Sequence, residues 1–249
     1  MKPYNFATRM RIMTCMLRGV GILVIIFLFV LGMLIAIETS LVSLLFAQPN
    51  AYSISMGYTG DGDNWYERAE IVTSWFKKMG YNINETSVNF THEEIKSIIQ
   101  HDDTASLFVI AHGSYRVFEA EDGDIWYYNI SDWMKNYSKI PFTFLHGCDS
   151  MCEQGNNTLS YQFRKGSNKN TAVVGGCGLG DSRGELCWDV SREWLGSFFN
   201  YTSQGMTIKE SLDRANADYP VCVNIFRFEG DGSLKLVPPL KRRKIVSIH

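Results

Sequence analysis

Ser106-Leu107-Phe108-Val109-Ile110-Ala111-His112-Gly113-Ser114 is an apolar run of β-formers that stops at an imidazole set beside glycine. The device recurs at Phe142-Thr143-Phe144-Leu145-His146-Gly147-Cys148-Asp149-Ser150, where a similar run stops at a thiol. Short apolar runs bounded by turn residues read as strands buried on both faces, the condition of a parallel sheet. Neighbouring strands lie about 4.8 Å apart, so groups just past the carboxyl ends of two adjacent strands open into one crevice. Open α/β sheets bind ligands at that edge. An imidazole and a thiol placed there form a nucleophile–base pair.

The chain on either side supplies the rest of such a sheet. Ala51–Met56 reads as a first strand. A helix from Trp65 to Met79 follows, with Trp65, Ala69, Val72, Trp75 and Phe76 mostly at three- and four-residue steps. Tyr81–Val88 is a weak strand near an edge. Thr91-His92-Glu93-Glu94 is a capping box opening a helix through Gln100, with His92 solvated in its first turn. Ser114–Tyr128 reads as a loop, and Ser131–Tyr137 as a short helix. Beyond the thiol come a helix over Asn157–Arg164, a strand over Thr171–Gly176 and a flexible loop over Gly178–Gly184. Helices over Cys187–Phe199 and Thr207–Ala217 follow, then closing strands at Val221–Phe228 and Leu234–Val237. The alternation predicts an α/β three-layer sandwich, a mostly parallel sheet with helices on both faces.

A thiol attacks an acyl carbon well only as thiolate, and its free pKa is about 8.5. His112 fits the base that takes the proton and returns it to the leaving amine. His146 is the rival imidazole. It lies two residues before Cys148 on the same strand, one pleat repeat deeper. Asp61 and Asp63 offer carboxylates without the spacing of a calcium loop, so no metal and no cofactor are expected. Glu119, Glu121, Asp122, Asp124, Asp181, Glu185 and Asp189 are expected near the crevice, where a carboxylate would favour Arg or Lys in the first substrate subsite.

These pieces resemble the caspase, legumain, metacaspase and gingipain clan of cysteine peptidases. There a catalytic His precedes Gly at one strand end, and a catalytic Cys ends the next strand. Cys148-Asp149-Ser150 fits the residues that follow such a Cys. The closest likeness is to the gingipain-like branch. Thr171-Ala172-Val173-Val174-Gly175-Gly176 resembles its following strand, and Ser203–Leu212 its "G-x-[ST]-hydrophobic-x-[EQ]-[AS]-hydrophobic" helix. Phe228–Leu236 resembles its closing Gly-Asp-Pro segment, with Gly232 where Pro is usual. The resemblance covers roughly residues 51–237. It implies a caspase-like sheet, His112 as base, Cys148 as nucleophile, and the backbone N–H groups of Gly113 and Cys148 as the oxyanion hole. It implies no third triad carboxylate. The expected function is a cysteine endopeptidase acting on protein or peptide substrates. A catalytically silent surface binding domain of the same fold, or a transamidase using the same dyad, stay open.

The 249 residues leave room for one membrane segment and one domain of about 200 residues. Residues 1–18 hold Lys2, Arg9, Arg11 and Arg18 and no acid. Gly19–Ile37 is then 19 residues of apolar sequence, about the length that crosses a bilayer core. Glu38-Thr39-Ser40 interrupts it before Leu41–Ala47. Residues 19–47 are read as a signal-anchor, with the amino terminus cytoplasmic and the domain at 48–240 outside. The alternative is a cleaved signal peptide with a site near Ala47. Residues 48–249 carry 20 basic and 25 acidic residues, which gives no reason to expect nucleic acid, and 241–249 is a basic tail. Sequons at Asn84, Asn89, Asn129, Asn136, Asn156 and Asn200 are candidate glycosylation sites, in excess of what Ser and Thr usage gives by chance. Cys148, Cys152, Cys177, Cys187 and Cys222 are an odd set in an oxidising compartment, while Cys15 lies on the cytoplasmic side. Cys177 and Cys187 flank one loop and are the expected disulfide, Cys152 and Cys222 a candidate second, and Cys148 the free thiol.

Overall fold

A computed structural model describes residues 27–33, 48–57, 65–83, 87–179 and 182–240. Residues 27–33 are helical and lie in a unit, residues 1–47, separate from that of 48–249. No helix of the described residues is long and apolar enough to cross a membrane. The predicted anchor at 19–47 falls mostly outside them, as do Asp61, Asp63, Asp181 and the basic tail.

In the second unit the strands are β1 (Asn50–Ser55), β2 (Asn82–Ile83), β3 (Ser87–Val88), β4 (Thr104–Ile110), β5 (Val117–Ala120), β6 (Gly123–Trp126), β7 (Phe142–His146), β8 (Ala172–Gly176) and β9 (Phe226–Gly230). The helices are α1 (Trp65–Lys78), α2 (His92–Gln100), α3 (Tyr127–Trp133), α4 (Leu159–Arg164), α5 (Ser182–Asp189), α6 (Ser191–Ser203) and α7 (Ile208–Asp218). The main sheet runs β2-β1-β4-β7-β8-β9, with β3 also on β1; every pairing is parallel except β8 with β9. All residues of β1, β4, β7 and β8 are buried. That is why β4, β7 and β8 are near-continuous apolar or small-residue runs rather than alternating ones.

Two cores sandwich the sheet. On one face Phe108, Ile110, Phe142, Phe144 and Val174 meet Val72 and Phe76 of α1, Trp194, Phe198 and Phe199 of α6, and Leu212 of α7. On the other, Leu107, Val109 and Leu145 meet Ile95 and Ile99 of α2, Ile130 of α3 and Phe163 of α4. Each fully buried side chain of this size contributes about 1.5–3 kcal/mol relative to exposure. Capping fixes where the helices start. Thr91 and Thr207 each accept from the N3 backbone N–H while Glu94 and Glu210 reach back, two complete capping boxes.

Several predicted boundaries move. The loop at Ser114–Tyr128 is an antiparallel hairpin, β5 with β6, running straight into α3. Val117-Phe118-Glu119-Ala120 alternates out and in, and Phe118, Ala120 and Ile125 are buried against α2 and β4. The single predicted helix over Cys187–Phe199 is two, broken at Val190. Leu234–Val237 is not a strand. Only Lys235 bridges, to Thr207; Leu236 is buried in the core, and its carbonyl accepts from Tyr81 Oη.

Candidate active site

β4 and β7 run in register from Ser106↔Phe142 to Ile110↔His146. Carried two residues past the strand ends, that offset would bring His112 opposite Cys148, and the next bridge, Ser114 to Asp149, is shifted by one residue. Side chains alternate along a strand, so His112 continues the face of Phe108 and Ile110, and Cys148 that of Phe142, Phe144 and His146. Both therefore sit on the α1/α6 side. Their contacts agree: Cys148 packs against that core. The His112 ring lies 4.6 Å, centroid to centroid, from that of Trp65 at the start of α1. The sheet's strand order reverses between β1 and β4, so this is also the crevice beside the switch point.

Cys148 is a half-buried free thiol. Burial raises its pKa above the ordinary value, the Asp149 charge raises it further, and its own backbone N–H pulls the other way. Such a thiol is mostly protonated at neutral pH and needs a base to become a nucleophile. Asp149 accepts from Gly178 N–H at 2.9 Å and lies 3.2 Å from the Cys152 sulfur.

Gly113 has a structural reason to be glycine. Ser114 N–H donates to Val117 O at 2.7 Å and Glu119 N–H to His112 O at 2.9 Å, making Gly113 and Phe118 a non-hydrogen-bonded pair. A Cβ on Gly113 would stand 2.3 Å from Val117 O. The hairpin crossing, rather than an approaching substrate, accounts for the missing side chain. The same pairing turns Gly113 N–H away from the hairpin, to the edge where Ser114 bridges Asp149.

The loop after β7 is braced to the loop after β8. Ser150 Oγ donates to Leu145 O at 2.7 Å and accepts from Gly176 N–H at 3.1 Å. Met151 N–H bonds Gly176 O and Leu179 N–H bonds Cys148 O. A Cβ on Gly175 would come within 2.6 Å of Ser150 Oγ, and one on Gly176 within 2.6 Å of Gly147 O. The glycine pair gives the nucleophile loop its room.

The disulfides correct the expected pairing. Cys177 bonds Cys152, not Cys187, and Cys187 bonds Cys222. β7 and β8 are neighbours, so the residues following them meet, and Cys177 reaches the loop carrying Cys152. α5 turns away at once, with Gly184 packed on Gly178 and Leu179, and carries Cys187 to the turn at Pro220–Cys222. Cys152, Cys177 and Asp149 converge as metal ligands would. The two sulfurs are bonded to each other and offer no thiolate.

His146 is buried with both ring nitrogens lacking a hydrogen-bond partner. Desolvation and then the Arg68 charge lower its pKa to about 3. It is a neutral core residue on the strand leading to Cys148.

Trp188 stands near the end of α5. Its ring lies 6.2 Å from that of Trp65 and 5.2 Å from that of His146. The Arg68 guanidinium sits 4.3 Å over it. The helical spacing of the sequence marks Trp65 and Trp188 as apolar but not as the crevice wall they form.

Among the described residues the predicted acids are not gathered at Cys148. Glu119 faces Asp124 across the hairpin, and Asp122 at its tip binds His92 through both Nδ1 and the backbone N–H, at 2.7 and 2.9 Å. His92 is thus a tether of the hairpin rather than a solvated residue. Glu185 and Asp189 are exposed on α5. Among the sequons Asn89, Asn136 and Asn156 are exposed, Asn129 caps α3 at Trp126 N–H, Asn200 is half-buried on α6, and Asn84 lies outside the described residues.

No family profile matches the chain, and no curated protein does. Solved structures are similar. One is described as pro-sf-caspase-1, 12% identical, TM-score 0.44, covering 74% of this chain and 91% of that one. Caspase-1 from Spodoptera frugiperda is 11% identical, TM-score 0.44, covering 80% of this chain and 93% of that one.

Proposed function

We propose that this chain is a membrane-anchored, extracytoplasmic cysteine endopeptidase of the caspase–gingipain type. His112 takes the Cys148 proton, and the thiolate attacks the scissile carbonyl. The tetrahedral oxyanion is met by the N–H groups of Gly113 and Cys148. The amine leaves with the proton from His112, and water, activated by the same imidazole, hydrolyses the thioester. The observation that supports this reading is the β4–β7 register, which ends at Ile110 opposite His146, with His112 and the free thiol of Cys148 each two residues beyond.

The dyad reading is tested by Cys148→Ala and His112→Ala on a peptide library. Both should lose turnover, His112→Ala by about 10²–10⁴-fold, with the fold retained. Hydrolysis surviving in Cys148→Ala sinks it.

Residues 19–47 anchor the domain, and the sequons lie on its exported side. Protease treatment of sealed, right-side-out vesicles should protect the amino terminus and remove the domain; the reverse pattern is incompatible with the anchor.

A further inference from the structure

We propose that Trp65 is a positioning residue for His112, an inference that rests on the peptidase reading above. The group packed against the His112 ring is an indole, with centroids 4.6 Å apart and planes at 72°, an edge-to-face pair.

Three observations make the indole a fixed reference rather than a passing contact. Trp65 is 6% exposed and opens α1, whose next turns, through Ala69, Val72 and Phe76, are sealed in the core. His112 itself is exposed at the crevice, where a packed ring narrows the rotamers open to it. The indole is also backed. Trp188 packs on it at 6.2 Å and 74°. Trp188 is clamped by Arg68, one helical turn on from Trp65: the guanidinium lies 4.3 Å over the ring and donates to the Trp188 carbonyl at 3.1 Å. Arg68 Nε donates to Ser191 Oγ at 3.0 Å, and Ser191 Oγ to the same carbonyl at 2.8 Å. On its other side Trp188 meets His146, two residues before Cys148, at 5.2 Å. One aromatic wall thus references the base and the strand that delivers the nucleophile. A cationic imidazole formed by proton transfer is also favoured beside an indole.

The test reads the Cys148 thiolate without turnover. Iodoacetamide alkylation of Cys148 in the full-length chain is followed against pH. With the imidazole held in place, reactivity persists below the pH at which an unassisted thiol would lose it. Trp65→Leu keeps an apolar side chain and removes the ring; reactivity there should fall about threefold to tenfold. On substrate, kcat should fall by a similar factor with KM little changed. Trp65→Phe should restore most of both. Trp188→Leu, which removes only the backing, should move the profile the same way by less, and it serves if Trp65→Leu does not fold. Wild-type profiles in Trp65→Leu or Trp188→Leu, alongside a His112→Ala that loses the low-pH reactivity, overturn the inference and leave the dyad standing. An unchanged profile in His112→Ala overturns the dyad and the inference with it.

Discussion

The His146 imidazole and the Trp188 indole lie 5.2 Å apart between centroids, and Phe144 and Phe226 complete the box at 6.1 and 5.5 Å. An imidazole walled by rings and held neutral by burial is a poor acceptor for the Cys148 proton. It also sets a pH dependence of stability. Its native pKa of about 3 lies below the unfolded value of 6.5, so the unfolded chain binds the extra proton. Stability should fall as pH drops from about 6.5 towards 3, by up to about 1.4 kcal/mol per unit. His146→Phe keeps the shape and removes the unpartnered nitrogens, a change near neutral or stabilising. Urea melts across that range should show a shallower slope for His146→Phe, with activity retained. Loss of turnover in His146→Phe would make His146 more than a core residue.

Much of this was legible before the structure. β4 and β7 are apolar on both faces because both faces are covered, and Thr91–Glu94 and Thr207–Glu210 announce their helices by capping chemistry. The hairpin was not legible. Val117–Ala120 alternates over only four residues, and Gly123 sits at φ 124° in a turn whose residues also suit a loop. The disulfides were misread for a related reason. Proximity along the chain favours Cys177 with Cys187, whereas partners are set by which strand ends are neighbours. His146 shows the limit on the site itself: its spacing from Cys148 suits a base, and only the structure shows the rings that bury it.

Arg164 and Glu229 form a buried ion pair at 2.5 Å, their side chains 8% and 9% exposed, that fastens α4 to β9. Ser160 Oγ adds a bond to Glu229 at 2.9 Å and the Ser167 carbonyl accepts from Arg164 at the same distance. Removing one partner strands the other charge. Glu229→Leu should cost about 3–5 kcal/mol in chemical denaturation, while the double variant Arg164→Met/Glu229→Leu should recover most of that. A double variant as unstable as the single would mean that shape, not charge, is what the pair supplies.

Ser150 joins three backbone groups at the base of the nucleophile loop. Ser150→Ala leaves Gly176 N–H without that acceptor and should cost about 1–3 kcal/mol. Gly175→Ala drives a methyl into Ser150 Oγ, Met151 Cγ and Leu145 O at 2.6, 2.6 and 2.7 Å. Two of these are close to or on the backbone that aims Cys148, so catalysis should suffer more than folding. Thermal melts beside kcat separate the effects. Gly175→Ala with full activity would show that the loop position tolerates displacement.

The bridge between Cys152 and Cys177 has the largest consequence for assay. It links the loops after β7 and β8, whose Cα atoms at these positions are 4.7 Å apart, and it runs beside Asp149, which holds Gly178. A thiol peptidase is ordinarily kept in reductant to protect its nucleophile; here reductant also cuts the brace of the loop that carries it. Activity should therefore rise with mild reductant, as Cys148 is freed of adventitious oxidation, and fall again as Cys152–Cys177 opens. Cys152→Ala/Cys177→Ala should melt earlier, with a loss of about 3 kcal/mol from chain entropy alone, and should lack the falling limb. Non-reducing peptide mapping after iodoacetamide should give linked Cys152–Cys177 and Cys187–Cys222 peptides and an alkylated Cys148. A Cys177–Cys187 peptide would refute the pairing, and a Cys148–Cys152 peptide in active preparations would end the assignment of Cys148 as nucleophile.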